Sequence, residues 1–184
     1  VKLEDKHPGG WGHVIYQTFT DETPLESFNP SDQRFNELEA KWAQKGKNPL
    51  HVTKGEVKRK TDYCLRAGES DSVYERETGG MITSINIRTK GFDQSHLKDL
   101  WIKAVWDDHD KDDLLLPLGC LFGNELGHHA VSYLYCGMDA EGTYYCYYPM
   151  PFYNNAKLFI QNKGKNDVVL EEIRIEATNE FDSI

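Results

Sequence analysis

Four patches of this sequence gather side chains that could do chemistry. The first is DDHDKDD, Asp107 to Asp113, with five carboxylates around one histidine. A calcium loop starting at Asp108 would need Gly at its sixth position and Glu at its twelfth, where Asp113 and Gly119 stand. The expectation is therefore a solvated hairpin tip, with no metal site assigned. The second patch is His128-His129. Neighbours on a strand point to opposite faces, so the two imidazoles do not share a metal easily. The third is Glu125, in a glycine-flanked loop among apolar residues. Glycoside hydrolysis takes two converging carboxyl groups, roughly 5–5.5 Å apart or roughly 6.5–9.5 Å apart. Glu125 is the carboxylate whose context best fits a cleft, and it is the candidate catalytic residue.

The fourth patch is aromatic. Seven of the ten tyrosines lie between Tyr133 and Tyr153. On an alternating strand Tyr145 and Tyr147 share one face, and Tyr144 and Tyr148 lie on or near the other. Tyrosine rings stack on sugars with the hydroxyl as a polar handle, and they also fill sandwich cores. Both readings stand at this point. The candidate sugar-contacting residues are Trp106, Asp107, Phe122, Asn124, Tyr145 and Tyr147. No nucleophile elbow, phosphate loop or dinucleotide fingerprint is present, and no cofactor is expected. Cys64, Cys120, Cys136 and Cys146 form no C-x-x-C pair. Buried free thiols are the simplest reading, with a Cys136–Cys146 disulfide across neighbouring strands as the alternative.

The elements that must position these residues are mostly strands. Phe35, Leu38 and Trp42 recur at helical spacing, and the pattern predicts one helix over about 31–45. Asn29 suits its N-cap, Pro30 its first position, and Gly46 its C-terminal cap. Strands are predicted at Gly12–Phe19, Tyr63–Ala67, Val73–Glu77, Met81–Thr89 and about 100–107. Further strands fit at about 131–136, 143–148, 156–162 and 168–177. Short strands separated by Gly, Asp and Pro turns predict an all-β sandwich with the helix inserted and packed on the sheets. Ile82, Ile85, Ile102, Trp106 and Phe152 are its expected core. One domain over 1–184 is the economical division, with 1–55 as an N-terminal strand plus helix and 56–184 as the sandwich proper.

Composition narrows the partners. A net charge of −9 and a pI near 5.2 offer no basic footprint for nucleic acid. The longest apolar run, LLLPLGCLFG, is too short and broken for a membrane helix, so no membrane partner is expected. The sequence begins with Val1, and no basic stretch followed by an apolar one, the pattern of a signal peptide, is seen in it. Removal of a leader would imply a periplasmic or secreted bacterial protein; otherwise the cytoplasm is expected. The apolar loop from Leu116 to Gly127 has few polar groups to keep it wet, and Leu121 and Phe122 are its expected interface residues.

Taken in order, ETGGMITSINI, LKDLWIKAVWDDHDKDDLLLPLGCLFG, YYCYYPMPF and NNAKLFIQNKG resemble the first jelly-roll of glycoside hydrolase family 172. GWGHVIYQTFTDETPLESF resembles the strand preceding that domain, and the resemblance runs from about residue 10 to 165. The pairing of Pro149-Met150-Pro151-Phe152 with the Gly119/Phe122-Gly123 loop carries most of it. It implies a double jelly-roll assembled as trimers or multiples of trimers. It implies action on furanosides, such as difructose dianhydrides and D-arabinofuranosyl linkages, by a retaining mechanism with two glutamates. Those glutamates belong to Trp-Gly-Glu-Gly-Asp-Glu and Gly-Thr-Glu-Asp-Tyr-Phe motifs of the second jelly-roll, and neither motif occurs in this sequence. The loop also departs from the family pattern, with Cys120 for Asp and Leu121 for Phe, and Asp108-His109 replace the turn's Gly-Glu. The expectation is a carbohydrate-active protein that forms part of a furanosidase whose catalytic glutamates lie outside the chain. The competing expectation is a non-catalytic carbohydrate-binding or oligomer-assembly module. The expected partners are a furanoside oligosaccharide or glycan and further copies of the chain, a trimer being favoured.

Overall fold

The computed structural model describes residues 31–50, 54–91, 94–124 and 130–179, together with Thr18, Pro24, Glu26 and Asn29. The predicted strand Gly12–Phe19 therefore lies outside the described residues, save Thr18. In chain order the elements are α1 (Gln33–Trp42), β1 (Gly55–Leu65), β2 (Ser70–Arg76), β3 (Gly80–Thr89) and α2 (Gln94–Asp99). Then come β4 (Leu100–Trp106), β5 (Leu114–Pro117), α3 (Leu118–Phe122), β6 (Cys136–Met138) and β7 (Thr143–Cys146). Strands β8 (Met150–Phe152), β9 (Ala156–Asn162) and β10 (Val168–Thr178) complete the order.

The strands form two antiparallel sheets. The first runs β1-β10-β3-β7-β6, with β8 also pairing β3, and the second runs β2-β9-β4-β5. With the short β6 and β8 set aside, the outermost strands in sequence pair with each other, β1 with β10 and β2 with β9. Nested inside them, β3 pairs with β7 and β4 with β5. A long hairpin folded over on itself in this way is a jelly-roll. The fold is thus an all-β jelly-roll sandwich, as the sequence predicts.

Alternation explains the core. Leu158 and Ile160 of β9 and Leu100, Ile102 and Ala104 of β4 point inward and are fully buried. They meet Ile85 and Ile87 of β3 and Ile173, Ile175 and Ala177 of β10. Of the five expected core residues, Ile82, Ile85, Ile102 and Phe152 are buried, and Trp106 is half-buried with its ring stacked on Phe152 at 6.1 Å. Burying one such aliphatic side chain stabilises the fold by about 1.5–3 kcal/mol.

Helix α1 differs from expectation. It buries no residue, and Leu38 and Trp42 are 56% and 52% exposed, so the apolar stripe does not pack on the sheets. The N-cap is Asp32, whose carboxylate accepts from Arg34 N at 2.9 Å. Asn29 instead closes an Asx turn onto Ser31 N at 3.0 Å. The C-cap is Ala43, and Gly46 falls beyond it. The segment after the helix reaches the outer face of the first sheet, where Asn48 Nδ2 donates to Thr83 O at 3.3 Å.

Candidate functional site

Trp106 ends β4, and Asp107 follows it in the turn. Asp107 sits at φ 53°, and its Oδ1 accepts from Tyr153 N at 2.8 Å and Asn154 N at 2.6 Å, with Asn155 N at 3.4 Å. The Asn154 N–H, followed by those of Tyr153 and Asn155, holds this carboxyl below the usual carboxylate range. Asp113 accepts from Trp106 N at 2.8 Å and lies 2.7 Å from His109 Nδ1. That hydrogen bond lowers the Asp113 pKa and raises that of His109. The acidic knot is thus a turn in which Asp107 and Asp113 hold backbone amides. Among the described residues, no three His, Cys, Asp or Glu side chains converge as a metal site.

Phe122 and Asn124 lie at α3. Phe122 is fully buried and stacks on Tyr144 at 5.4 Å, so its ring fills this chain's own core. Leu121 is half-buried beside exposed Cys120. Asn124 is 3% exposed, and its Nδ2 has no hydrogen-bond partner among the described residues. Glu125 and the pair His128-His129 lie outside the described residues.

Tyr145 and Tyr147 point to the opposite side of β7 from Tyr144. Their rings stack at 4.9 Å and are 1% and 8% exposed. The Tyr145 hydroxyl donates to Tyr133 O at 2.8 Å, and the Tyr147 hydroxyl donates to Gly46 O at 3.2 Å. Burial pushes the Tyr147 phenol up to about 12. Gly137 makes room for this arrangement. A Cβ there would lie 2.1 Å from Val131 O and 2.7 Å from the Tyr145 hydroxyl.

Of the sugar-contacting candidates, Tyr147 lines a groove. That groove, about 290 Å³, crosses the outer face of the first sheet and is lined by Asn48, Ser84, Asn86, Asp139, Thr143, Tyr147, Glu172, Arg174 and Glu176. Register sets its floor, because Arg174 lies opposite Asn86 and Glu176 opposite Ser84. Asn86 Nδ2 donates to Ser84 Oγ at 2.5 Å. Ser84 is buried, whereas Asn86 and Thr143 are part-exposed, and the Asn86 oxygen and the Thr143 hydroxyl have no partner among the described residues, so the groove offers an acceptor and a hydroxyl that can donate or accept. Its charges are already engaged, since Glu176 pairs with Arg174, and Glu172 pairs with Arg59 at 2.8 Å.

The two glutamates are four residues apart on one strand. A rise of ~3.3 Å per residue separates their Cα atoms by about 13 Å, and each carboxylate is drawn to its own arginine. Neither the spacing nor the pairing fits an acid and nucleophile acting together. The groove can hold a polyhydroxylated ligand by hydrogen bonds against a tyrosine wall. A somewhat larger cavity, about 360 Å³, lies between Lys54–Glu56 and Ala177–Asn179. No predicted site residue lines it, and its Arg76 is taken up by Thr78, Glu56 and Asn179.

Sequence reasoning missed the groove because its members come from β3, β7, β10 and the segment after α1. The polar alternation Ser84, Asn86 and Glu172, Arg174, Glu176 was the available signal, but only the register brings the two rows together.

The fold and the groove define a jelly-roll β-sandwich with one polar outer face. Residues 55–175 match the family model described as GH172 domain-like, and the chain belongs to that family, which relates it to the glycoside hydrolases. No curated protein matches the chain.

Proposed function

We propose that this chain is the carbohydrate-holding jelly-roll of a furanoside-type glycoside hydrolase whose catalytic glutamates lie outside it. The observation that carries this reading is the family match across the whole sandwich, residues 55–175. The groove supports it with hydroxyl, amide and tyrosine groups suited to a saccharide, and with glutamates already paired to arginines. Trp106, Asp107 and Asn124 act in this reading by shaping loops at the ends of the sandwich. Self-association, with a trimer favoured, belongs to the same proposal. Leu121 is its reporter residue, because Phe122→Ala would test the core instead.

The test is hydrolysis of aryl furanosides. The purified 184 residues are expected to show no turnover, and activity is expected when a polypeptide bearing the two glutamate motifs is supplied. Turnover by the chain alone, abolished by Glu125→Gln, would overturn the reading and make Glu125 catalytic. The second reading is a non-catalytic binding or assembly module, favoured by the arginine-paired state of Glu172 and Glu176. Saccharide binding without activity in either setting would select it.

A further inference from the structure

Cys136 on β6 and Cys146 on β7 are direct partners in an antiparallel ladder. Tyr147 N donates to Tyr135 O at 2.6 Å and Asp139 N to Thr143 O at 3.0 Å. Those bonds mark the odd-numbered residues of β6 as the hydrogen-bonded positions. Cys136 and Cys146 therefore occupy a non-hydrogen-bonded pair, where Cα atoms approach to about 4.5 Å and both side chains leave the same face. That spacing lies within the range a disulfide spans. Both cysteines are free thiols here. Cysteines at this position of an extended strand pair are close enough for a bond to close between them with small local adjustment.

We propose that Cys136 and Cys146 form a reversible disulfide by exchange with a small-molecule or protein disulfide, and that this bond staples the edge strand β6 to β7. Cys136 is half-buried on the edge of the sheet and Cys146 is fully buried, so Cys136 meets the oxidant first. Its thiolate attacks one sulfur of the incoming disulfide, giving a mixed disulfide and expelling one thiolate. The Cys146 thiolate then attacks the Cys136 sulfur and expels the second. Two protein thiols become one disulfide, one external disulfide becomes two thiols, and the two protons pass to the expelled thiolates. Burial raises both pKa values, to about 11 for Cys146, so exchange is slow at neutral pH and quickens as pH rises.

The staple reaches the groove through contacts already described. Gly137 follows Cys136 and sits against the Tyr145 ring, which stacks on Tyr147 in the groove wall. Fixing β6 fixes that wall.

The experiment equilibrates the folded chain carrying Cys64→Ser and Cys120→Ser with oxidised glutathione, followed by cleavage after Glu141 between the two cysteines. The expected result is a pair of peptides joined at Cys136 and Cys146, short of two hydrogen atoms and separated by reductant. The oxidised form is expected to melt about 5–10 °C higher. Separate glutathione adducts on the two cysteines, or two thiols still open to alkylation, would overturn the proposal. An unchanged melting temperature in the linked form would overturn the staple. Cys146→Ala, which keeps the buried position apolar, is expected to leave Cys136 as a stable glutathione adduct.

Discussion

The turn at Asp107–Asp113 and the groove over β3 and β10 are equally crowded with polar side chains. They differ in where the hydrogen bonds go. In the turn, the Asp107 and Asp113 carboxylates point inward to backbone amides, and the loops at 106 and 153–155 depend on them. In the groove, Glu172 and Glu176 are held by arginines, while Asn86 and Thr143 keep bonding capacity toward solvent. A dense set of functional groups is thus a ligand site only where bonding capacity is left over after the fold has been satisfied. The turn is the more conspicuous sequence, and the groove is the better candidate site.

Asp107→Ala should separate the two regions most sharply. It removes the acceptor of three backbone N–H groups and places alanine at φ 53°. A loss of about 2 kcal/mol is expected in chemical denaturation, with saccharide affinity unchanged. If affinity fell instead with stability intact, the turn would be a contact site. The Asp107 pKa is lowered on folding, so its contribution is present above the ordinary carboxylate range and is lost as pH falls through the folded value. Wild type should therefore lose more stability than Asp107→Ala on acidification below about pH 4.

The converse variant is Asn86→Ala. It removes hydrogen-bonding groups from the groove floor without opening the core, and about tenfold weaker saccharide binding is expected by calorimetry. The melting temperature should barely move. Unchanged affinity would remove the groove from consideration.

The smallest effect belongs to His109. Its pKa is raised by Asp113, so its contribution is full below the unfolded histidine value and fades as pH rises through the folded one. The Asp113 contribution is present above its unfolded value and fades as pH falls through its lowered one. The pair is therefore most effective between about pH 4 and 6.5. Titration followed by nuclear magnetic resonance should place the His109 midpoint above that of an unfolded peptide, and Asp113→Asn should bring it back.

Much of the fold was legible because β4 and β9 carry their burial in their alternation, and because Met81–Thr89, buried along nearly its whole length, is rich in β-branched residues. Strand β1 was not, beyond its last residues, since GEVKRKTDYCL is an edge strand with charge on both faces. Nor was LLLP read as strand β5, because an apolar run that short shows no period. The stretch 131–136 was expected as a strand but forms only the Ser132–Gly137 bridge beside the three-residue β6. Helix α1 was legible as a helix, while its exposure was not, because a stripe of Phe35, Leu38 and Trp42 does not say what it faces. The groove depends on long-range pairing and had no local signal strong enough to mark it.

The position of β10 bears on how the molecule acquires its structure. This last strand lies between β1 and β3, and Gly55 pairs with Thr178 across more than a hundred residues of chain. Such pairings carry the loop-closure entropy of everything between them, so high contact order should make folding slow, in the millisecond-to-second range. During synthesis β1 and β3 emerge long before the strand that joins them. Until residue 178 leaves the ribosome, the first sheet has two unmatched edges where it will later have a centre, and this is the interval in which a nascent chain most needs shielding from its neighbours.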